Sequence, residues 1–295
     1  MCILVVGAGG LLGSNVVLAA RDRGHRVVGT YRSSKPSLDA ELVELTLPDA
    51  DRFETLLTEH DPTAVLNCAA MTDVDQCETT PKQAHAVNAV APGQLASACA
   101  RSDTPFLHVS TDYVFDGESS TRYSESATPN PIQRYGATKR DGERRVKAAH
   151  DDALLIRPSF IYGIHRETDT LTGFPAWVHS ELQAGESVTL FDDQRVTPSR
   201  ARTTAECMLD LLADNASGRF HVAAPTCVTP YEFGERIRTR LGVPSERVER
   251  GRLADVDRPA ARPEQTCLDV SKVTDRLDES LPSLDTELDV IVSAV

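Results

Sequence analysis

The sequence predicts an α/β fold, a doubly wound parallel sheet followed by a smaller, discontinuous C-terminal α+β lobe. Two observations predict it. Between residues 3 and 157, short apolar runs typical of buried strands alternate with amphipathic helical segments. The first apolar run ends in a cluster of glycines, where a strand would turn directly into a helix. Because right-handed crossovers place the carboxyl ends of parallel strands at one edge, we expect a ligand site there.

The apolar pattern of the first half assigns its elements in order. Residues 3–6 form a buried strand, and apolar side chains at helical spacing follow from Leu11 to Ala20. Asp61-Pro62 ends a helix at 51–59, because the residue before a proline disfavours the helical conformation. Further strands are predicted at 26–31, 41–47, 64–66 and 106–110, and further helices at 81–101 and 135–149.

After residue 160 the strict alternation fades, which predicts a second lobe. A strand at 153–157 is followed by helices at 171–182 and 203–212, an extended segment at 188–191 and a core strand at 218–223. The polar, proline-containing segment 117–133 is predicted to be a loop over the site. We therefore assign residues 1–160 and about 200–224 to the large domain, and about 161–199 and 225–295 to the smaller lobe.

Charge and cysteine content exclude several classes of protein. The 295 residues carry a formal net charge of −13, which argues against nonspecific nucleic-acid binding. The chain enters a strand at once and no apolar run reaches the roughly 18 residues that span a bilayer, so we expect a cytoplasmic location without membrane attachment. Seven cysteines, never closer than nine residues apart, indicate neither a metal site nor a disulfide framework. We expect them to be reduced and mostly buried.

The glycines after the first strand predict an anion site. A tight turn requires residues without a Cβ, and the helix that it opens points unpaired N–H groups at an anion. Leu12 breaks the Gly-x-Gly-x-x-Gly pattern, but Gly7, Gly10 and Gly13 have the Gly-x-x-Gly-x-x-Gly spacing typical of extended short-chain dehydrogenases that act on sugar nucleotides. Close packing of helix on strand is the alternative explanation for these glycines.

Arg32 and Ser33 follow the second predicted strand, where a dinucleotide fold meets the adenosine ribose. An acidic residue there accepts from the ribose 2′-hydroxyl, whereas an arginine suits a 2′-phosphate. No acidic residue lies between Arg23 and Leu38. NADPH is therefore favoured as the cofactor, with NADH and a merely solvated Arg32 as alternatives.

Tyr135 and Lys139 are spaced by one helical turn and so share a helix face. A tyrosine with a pKa near 10 needs a neighbouring cation to act as a proton shuttle at neutral pH, and a lysine at this position can supply it. Thr111 ends a predicted strand, where its hydroxyl could donate to a substrate carbonyl oxygen. A threonine that only bonds the backbone is the alternative.

Several stretches carry residues typical of one enzyme family. They are Cys68-Ala-Ala-Met-Thr-Asp-Val-Asp-Gln-Cys-Glu78, Val87-Asn88, Ser110-Thr-Asp-Tyr-Val-Phe-Asp-Gly117, Tyr123-Ser-Glu125, Tyr135-Gly-Ala-Thr-Lys139 with Gly142-Glu143, and Arg157-Pro-Ser-Phe-Ile-Tyr-Gly163. Together they resemble the dTDP-4-dehydrorhamnose reductase family from Met1 to about Leu212. The resemblance implies a dinucleotide-binding Rossmann domain, a substrate-binding lobe, and NADPH-dependent reduction of the C4 ketone of a dTDP-linked 6-deoxy-4-keto hexose to dTDP-L-rhamnose.

The resemblance also implies roles for single residues. Tyr135 would donate the proton, Lys139 would lower its pKa and bind the cofactor ribose, and Thr111 would hold the carbonyl. Together with the two residues after the second strand, this gives the expected cofactor-binding set. Its members are Gly7, Gly10, Leu11, Leu12, Arg32, Ser33, Thr46, Leu47, Ala69, Ala70, Tyr135 and Lys139. The expected substrate-binding residues are Thr72, Asp73, Val74, Asp112, Tyr113 and Phe160.

The chain departs from the family at two positions. Thr46 stands where the family usually has an acid, and Phe160 where it often has a tryptophan against the sugar. Two other functions therefore stay open, a regulatory NADP-binding subunit like the methionine adenosyltransferase beta subunit, and another nucleotide-sugar ketoreductase, epimerase or dehydratase. A small-molecule sugar nucleotide is the expected partner, and a homodimer is left open.

Overall fold

The computed structural model describes residues 1–292, with the backbone alone at Val292. Its strands are β1 Cys2–Val6, β2 Arg26–Tyr31, β3 Glu41–Glu44, β4 Ala64–Asn67, β5 Phe106–Val109, β6 Leu154–Arg157, β7 Ile161–His165, β8 Thr170–Thr172, β9 Val188–Phe191, β10 Ser199–Arg200, β11 Gly218–His221 and β12 Val248–Gly251. Its α-helices are α1 Leu11–Asp22, α2 Ala50–His60, α3 Val74–Thr79, α4 Pro81–His85, α5 Ala91–Arg101, α6 Arg134–Ala149, α7 Phe174–Gln183, α8 Ala201–Ala213, α9 Pro230–Leu241, α10 Ser271–Leu277 and α11 Leu284–Val292.

Seven strands form one sheet in the order β11-β6-β5-β4-β1-β2-β3, and every neighbouring pair is parallel. Alternate residues of β1 enter different clusters of the core. Ile3 and Val5 pack on the side of α1 and α8, whereas Leu4 and Val6 pack with side chains of α2 and α5. The sheet is therefore covered on both faces, which confirms the predicted doubly wound fold.

Two small sheets lie outside the seven strands. β10, β7 and β8 form a mixed sheet, and β12 pairs with β9. A third apolar cluster, with Tyr162, Val188 and Phe233 among its buried members, joins these strands to α7, α9 and α11. This is the packing that we expect of the smaller lobe, and the two-lobe division of the chain stays a prediction.

Three elements differ from their predictions. The predicted helix 171–182 begins only at Phe174, because Thr170–Thr172 pairs antiparallel with β7 and Gly173 turns the chain with a φ of 89°. The predicted helix 81–101 is divided by a π-helical turn at Ala86–Val90. The strand predicted at 41–47 ends at Glu44.

The expectation that all cysteines are reduced is wrong for one pair. Cys227 and Cys267 form a disulfide with a Cα–Cα distance of 5.7 Å, while Cys2, Cys68, Cys77, Cys99 and Cys207 are free. Forty positions separate the two bridged residues in sequence. Only the tertiary fold brings them together, so spacing along the chain could not reveal the pair.

Removing this bridge in the variant C227A/C267A is expected to lower the free energy of unfolding by about 3 to 4 kcal/mol, because the bridge restricts the unfolded chain. Urea unfolding under non-reducing conditions measures the change, with Cys2→Ala as the control that removes a free cysteine. Alkylation of the denatured, unreduced protein should label only the five free cysteines. Labelling of all seven would contradict the bridge.

Candidate active site

The carboxyl ends of β1, β2, β4 and β5 open into a cavity of about 760 Å³, a size typical of ligand sites. The predicted site residues that line it are Gly7, Gly10, Leu11, Leu12, Arg32, Ser33, Leu47, Ala69, Ala70, Thr72, Val74, Thr111, Asp112, Tyr113, Tyr135, Lys139 and Phe160. Two predicted residues lie outside its lining. Thr46 is exposed, and the Asp73 carboxylate caps α3 by accepting from the Gln76 N–H at 2.8 Å.

The glycine turn between β1 and α1 closes one end of the cavity. Gly7 has a φ of +83°, and a Cβ there would lie 2.8 Å from the Ala69 Cα. A Cβ on Gly13 would lie 2.1 Å from the Gly7 carbonyl oxygen, so these positions require glycine. Gly10 precedes α1 without a side-chain cap, and no acidic residue stands in the first turn. The N–H groups of that turn are therefore available to an anion.

The part of the cavity predicted to hold the adenosine is lined by an arginine, Arg32, and two leucines. Arg32 is exposed and makes no ion pair or hydrogen bond with any residue in the described range 1–292. Leu47 lines the cavity as predicted, and buried Leu45 lines it as well. The sequence signal for Leu45 is its two-residue spacing from Leu47, which places both on one side of an extended chain.

Tyr135 reaches the cavity because α6 packs closely on the turn Asp112–Val114. A Cβ on Gly136 would lie 1.9 Å from the Tyr113 carbonyl oxygen, so only glycine permits this approach. The Gln133 side chain caps α6 by accepting from the Gly136 N–H at 2.8 Å. The rings of Tyr113 and Tyr135 consequently lie 6.0 Å apart, edge to face.

Burial controls the titration of the two central groups. It raises the pKa of Tyr135, and the Thr111 hydroxyl only partly opposes this shift. Burial lowers the pKa of Lys139 to about 8, while the Glu143 carboxylate acts in the opposite direction. At neutral pH the site therefore holds a protonated phenol and a charged ammonium.

Lys139 is 1% exposed, and a hydrogen bond orients its ammonium group. Its Nζ donates to the Val109 carbonyl oxygen at 2.7 Å, at the end of β5. Behind it, Glu143 receives two hydrogen bonds from Arg157, at 2.7 and 2.6 Å, in a fully buried pair. Lowering of the Tyr135 pKa by Lys139, which the family resemblance implies, is not seen in these shifts and stays a prediction.

Thr111 and Asp112 form a small buried network. The Thr111 hydroxyl donates to an Asp112 carboxylate oxygen at 3.0 Å and accepts from the Tyr113 N–H at 3.1 Å. Ser159 donates to the other Asp112 oxygen at 2.7 Å. Burial nevertheless raises the pKa of Asp112. The Asp112 carboxylate therefore orients the Thr111 hydroxyl.

Asn88 supports the segment that crosses the cavity after β4, a role that sequence reasoning missed. Its side-chain oxygen accepts from the Met71 N–H at 2.8 Å, and its amide donates to the Met71 carbonyl oxygen at 3.0 Å. Asn88 is fully buried and lies in the π-helical turn, a feature frequent at functional sites. The only sequence signal was its place in a motif shared with the family.

Part of the cavity lining is aromatic, with Tyr113, Tyr135 and Phe160 among its residues. Phe160 has a φ of +47°, a conformation that non-glycine residues rarely adopt and that concentrates at functional sites. Its ring packs on Phe174 with a centroid distance of 5.3 Å. In α3, Asp75 accepts from both terminal nitrogens of Arg262, at 3.1 and 2.9 Å, which ties segment 260–263 to this helix.

Residues 1–292 contain neither a candidate metal-ion cluster nor a helix that could span a membrane. Across that range, no three His, Cys, Asp or Glu side chains are placed to hold a metal ion. None of the helices in the described part of the chain is both long and apolar enough to cross a membrane.

A glycine turn under an uncapped helix, with a Tyr-x-x-x-Lys pair that lines the same cavity, defines the class of short-chain oxidoreductases. A family described as "RmlD substrate binding domain" matches residues 1–295. The chain belongs to the family of dTDP-4-dehydrorhamnose reductases and related sugar-nucleotide reductases, and it is an oxidoreductase.

Individual relatives agree with this family. A "probable low-salt glycan biosynthesis reductase" of Haloferax volcanii is 49% identical over 294 residues, 100% of this chain and 98% of the relative. The dTDP-4-dehydrorhamnose reductase of Mycolicibacterium smegmatis is 32% identical over 90% of this chain and 77% of its own. The crystal structure of a Clostridium acetobutylicum dTDP-4-dehydrorhamnose reductase superposes with a TM-score of 0.88, at 25% identity, over 99% of both chains.

Proposed function

We propose that this protein uses NADPH to reduce the 4-keto group of a nucleotide-linked 6-deoxyhexulose, converting dTDP-4-dehydrorhamnose to dTDP-L-rhamnose. One observation carries the proposal. Tyr135, Thr111 and Lys139 line the same cavity as the glycine turn, so one ligand space joins a proton donor to an anion site. The names of the curated relatives support a sugar-nucleotide substrate.

The residues present fit a dinucleotide cofactor. The N–H groups of Leu11 and Leu12, in the first turn of α1, would hold its pyrophosphate, and Leu45 and Leu47 would contact the adenine. Bound NADPH would supply a hydride to the substrate carbonyl carbon. The protein would exclude water from the part of the cavity where the buried residues Lys139 and Thr111 lie.

Three side chains would act on the substrate oxygen. Burial keeps the Tyr135 phenol protonated at neutral pH, as a proton donor requires. Thr111 would polarise the carbonyl by donating its hydroxyl proton. The Thr111 hydroxyl, which donates to Asp112 in the structure, would turn this proton towards the substrate oxygen. Lys139 would keep a positive charge beside the developing alkoxide.

Arg32→Ala is expected to weaken NADPH binding by about tenfold to one hundredfold and to leave NADH binding nearly unchanged, because a charge-assisted bond to the 2′-phosphate contributes roughly 1.5 to 3 kcal/mol. Fluorescence titration gives both dissociation constants. Arg144→Ala, which removes an exposed arginine from α6, is the control. Equal losses for the two cofactors would contradict the 2′-phosphate role.

The test of the activity is direct. The protein is mixed with NADPH and dTDP-4-dehydrorhamnose, and the absorbance of the reduced nicotinamide is followed while the sugar product is identified by mass spectrometry. Oxidation that depends on the sugar nucleotide supports the proposal. Tight NADPH binding without oxidation would favour the regulatory-subunit alternative, whereas turnover of another keto sugar nucleotide alone would reassign the substrate.

A further inference from the structure

The peptide between Gly9 and Gly10 lies in the turn that joins β1 to α1, and both of its polar groups are held. The Gly10 N–H donates to the Gly7 carbonyl oxygen at 3.2 Å. From the other side, the Gly9 carbonyl oxygen lies 3.2 Å from Nε2 of His165. Neither Gly9 nor Gly10 has a Cβ, so this peptide would otherwise rotate more freely than most. His165 is thus its only side-chain partner among residues 1–292.

The second ring nitrogen of His165 fixes its tautomer. Nδ1 lies 3.3 Å from the Glu167 N–H and accepts from it. In the neutral ring the proton must therefore sit on Nε2, which then donates to Gly9. Both ring nitrogens are satisfied in this arrangement, so the histidine has one well-defined orientation towards the turn.

Two buried polar residues of α1 hold the strand that carries His165. Ser14 and Asn15 are fully buried on a helix whose other buried residues are glycine and apolar side chains. Asn15 Nδ2 donates to the Ile164 carbonyl oxygen at 2.9 Å, and Ser14 Oγ accepts from the Arg166 N–H at 3.3 Å. These contacts lie immediately before and after His165. They explain the buried polar pair, because they dock the end of β7 beside the glycine turn.

We propose that His165 is a positioning residue that locks the Gly9–Gly10 peptide and thereby sets the affinity of the glycine turn for a dinucleotide pyrophosphate. The inference rests on the cofactor site of the proposed function. Rotation of this peptide would turn a carbonyl oxygen towards the first turn of α1, where it would repel a phosphate. The histidine bond opposes that rotation.

The first experiment compares His165→Leu, which removes the donor at similar volume, with His165→Gln, which retains an amide donor. His165→Leu should raise the dissociation constant of NADPH about tenfold, whereas His165→Gln should stay within about threefold of wild type. In steady-state kinetics, the KM for NADPH should rise while kcat and the KM for the sugar nucleotide stay unchanged. Glu167→Gln, on the same hairpin, is the control, and thermal unfolding of each variant verifies the folded fraction.

A double-mutant cycle separates locking from a general packing role. A Cβ on Gly9 meets only Pro36, at 3.5 Å or more, so Gly9→Ala fits the turn and restricts its backbone. If His165 acts by preventing rotation, Gly9→Ala should recover part of the NADPH affinity lost in His165→Leu. The measured quantity is the coupling between the two substitutions.

The outcomes are distinct. If wild type itself does not bind NADPH, the cofactor site of the proposed function fails. If wild type binds but His165→Leu binds equally well, or His165→Gln is as weak as His165→Leu, the positioning role is overturned while the proposed function stands. Strictly additive effects of Gly9→Ala and His165→Leu would also overturn the peptide lock.

Discussion

Tyr135→Phe is expected to lower kcat by about two to four orders of magnitude, because it removes the proton donor of the proposed reduction. The affinity for NADPH should stay within about threefold of wild type. Phenylalanine preserves the ring, and the edge-to-face contact with Tyr113 at 6.0 Å is a contact between rings. The change should therefore act on turnover and not on folding or cofactor binding. Single-turnover measurement of nicotinamide oxidation separates the chemical step from product release.

Tyr162→Phe is the matched control for this substitution. Tyr162 is fully buried, its hydroxyl has no hydrogen-bond partner within the described residues, and it lies outside the cavity lining. Its loss should leave kcat unchanged. If Tyr135→Phe retains the wild-type rate, the Tyr135 hydroxyl is not the proton donor. Thr111 would then be the remaining candidate hydroxyl.

The sequence predicted the parallel sheet and the glycine turn because both depend on local patterns. β2 spans Arg26–Tyr31, the predicted range, and its residues 27–30 are buried, as in a strand covered on both faces. Short motifs likewise predicted that Thr111, Tyr135 and Lys139 share one cavity, because each follows or faces a strand end. The roles of these residues in catalysis remain predictions.

What the sequence could not reveal depends on contacts between distant segments. Cys227 and Cys267 are paired by the fold, and His165 meets Gly9 across 156 positions. Neither contact leaves a periodic pattern. The pattern predicts helix from Leu171, because this leucine fits either period, whereas Thr170–Thr172 is a strand and only its pairing with β7 decides between them.

In the proposed mechanism the charge of Lys139 would serve catalysis, and its burial costs stability. Its folded-state pKa of about 8 lies well below the ordinary value of 10.5, and burial is the main cause. The difference corresponds to about 3 kcal/mol of unfavourable burial while the lysine is charged. Since the unfolded chain binds this proton more tightly, stability should rise as the pH increases from about 8 to 10.5. Activity should change in the opposite direction, because the charge is lost over the same range.

Lys139→Met is therefore expected to lower kcat/KM by at least two orders of magnitude at pH 7 while raising the free energy of unfolding. In wild type, kcat/KM should fall about tenfold per pH unit above pH 8, since this ratio reports groups of the free enzyme. The Lys139→Met variant should not show this fall in kcat/KM above pH 8. Lys147→Met, an exposed lysine on the same helix, should change neither profile. A wild-type profile that stays flat to pH 10 would show that the Lys139 charge is not required, because burial would by then have removed its proton.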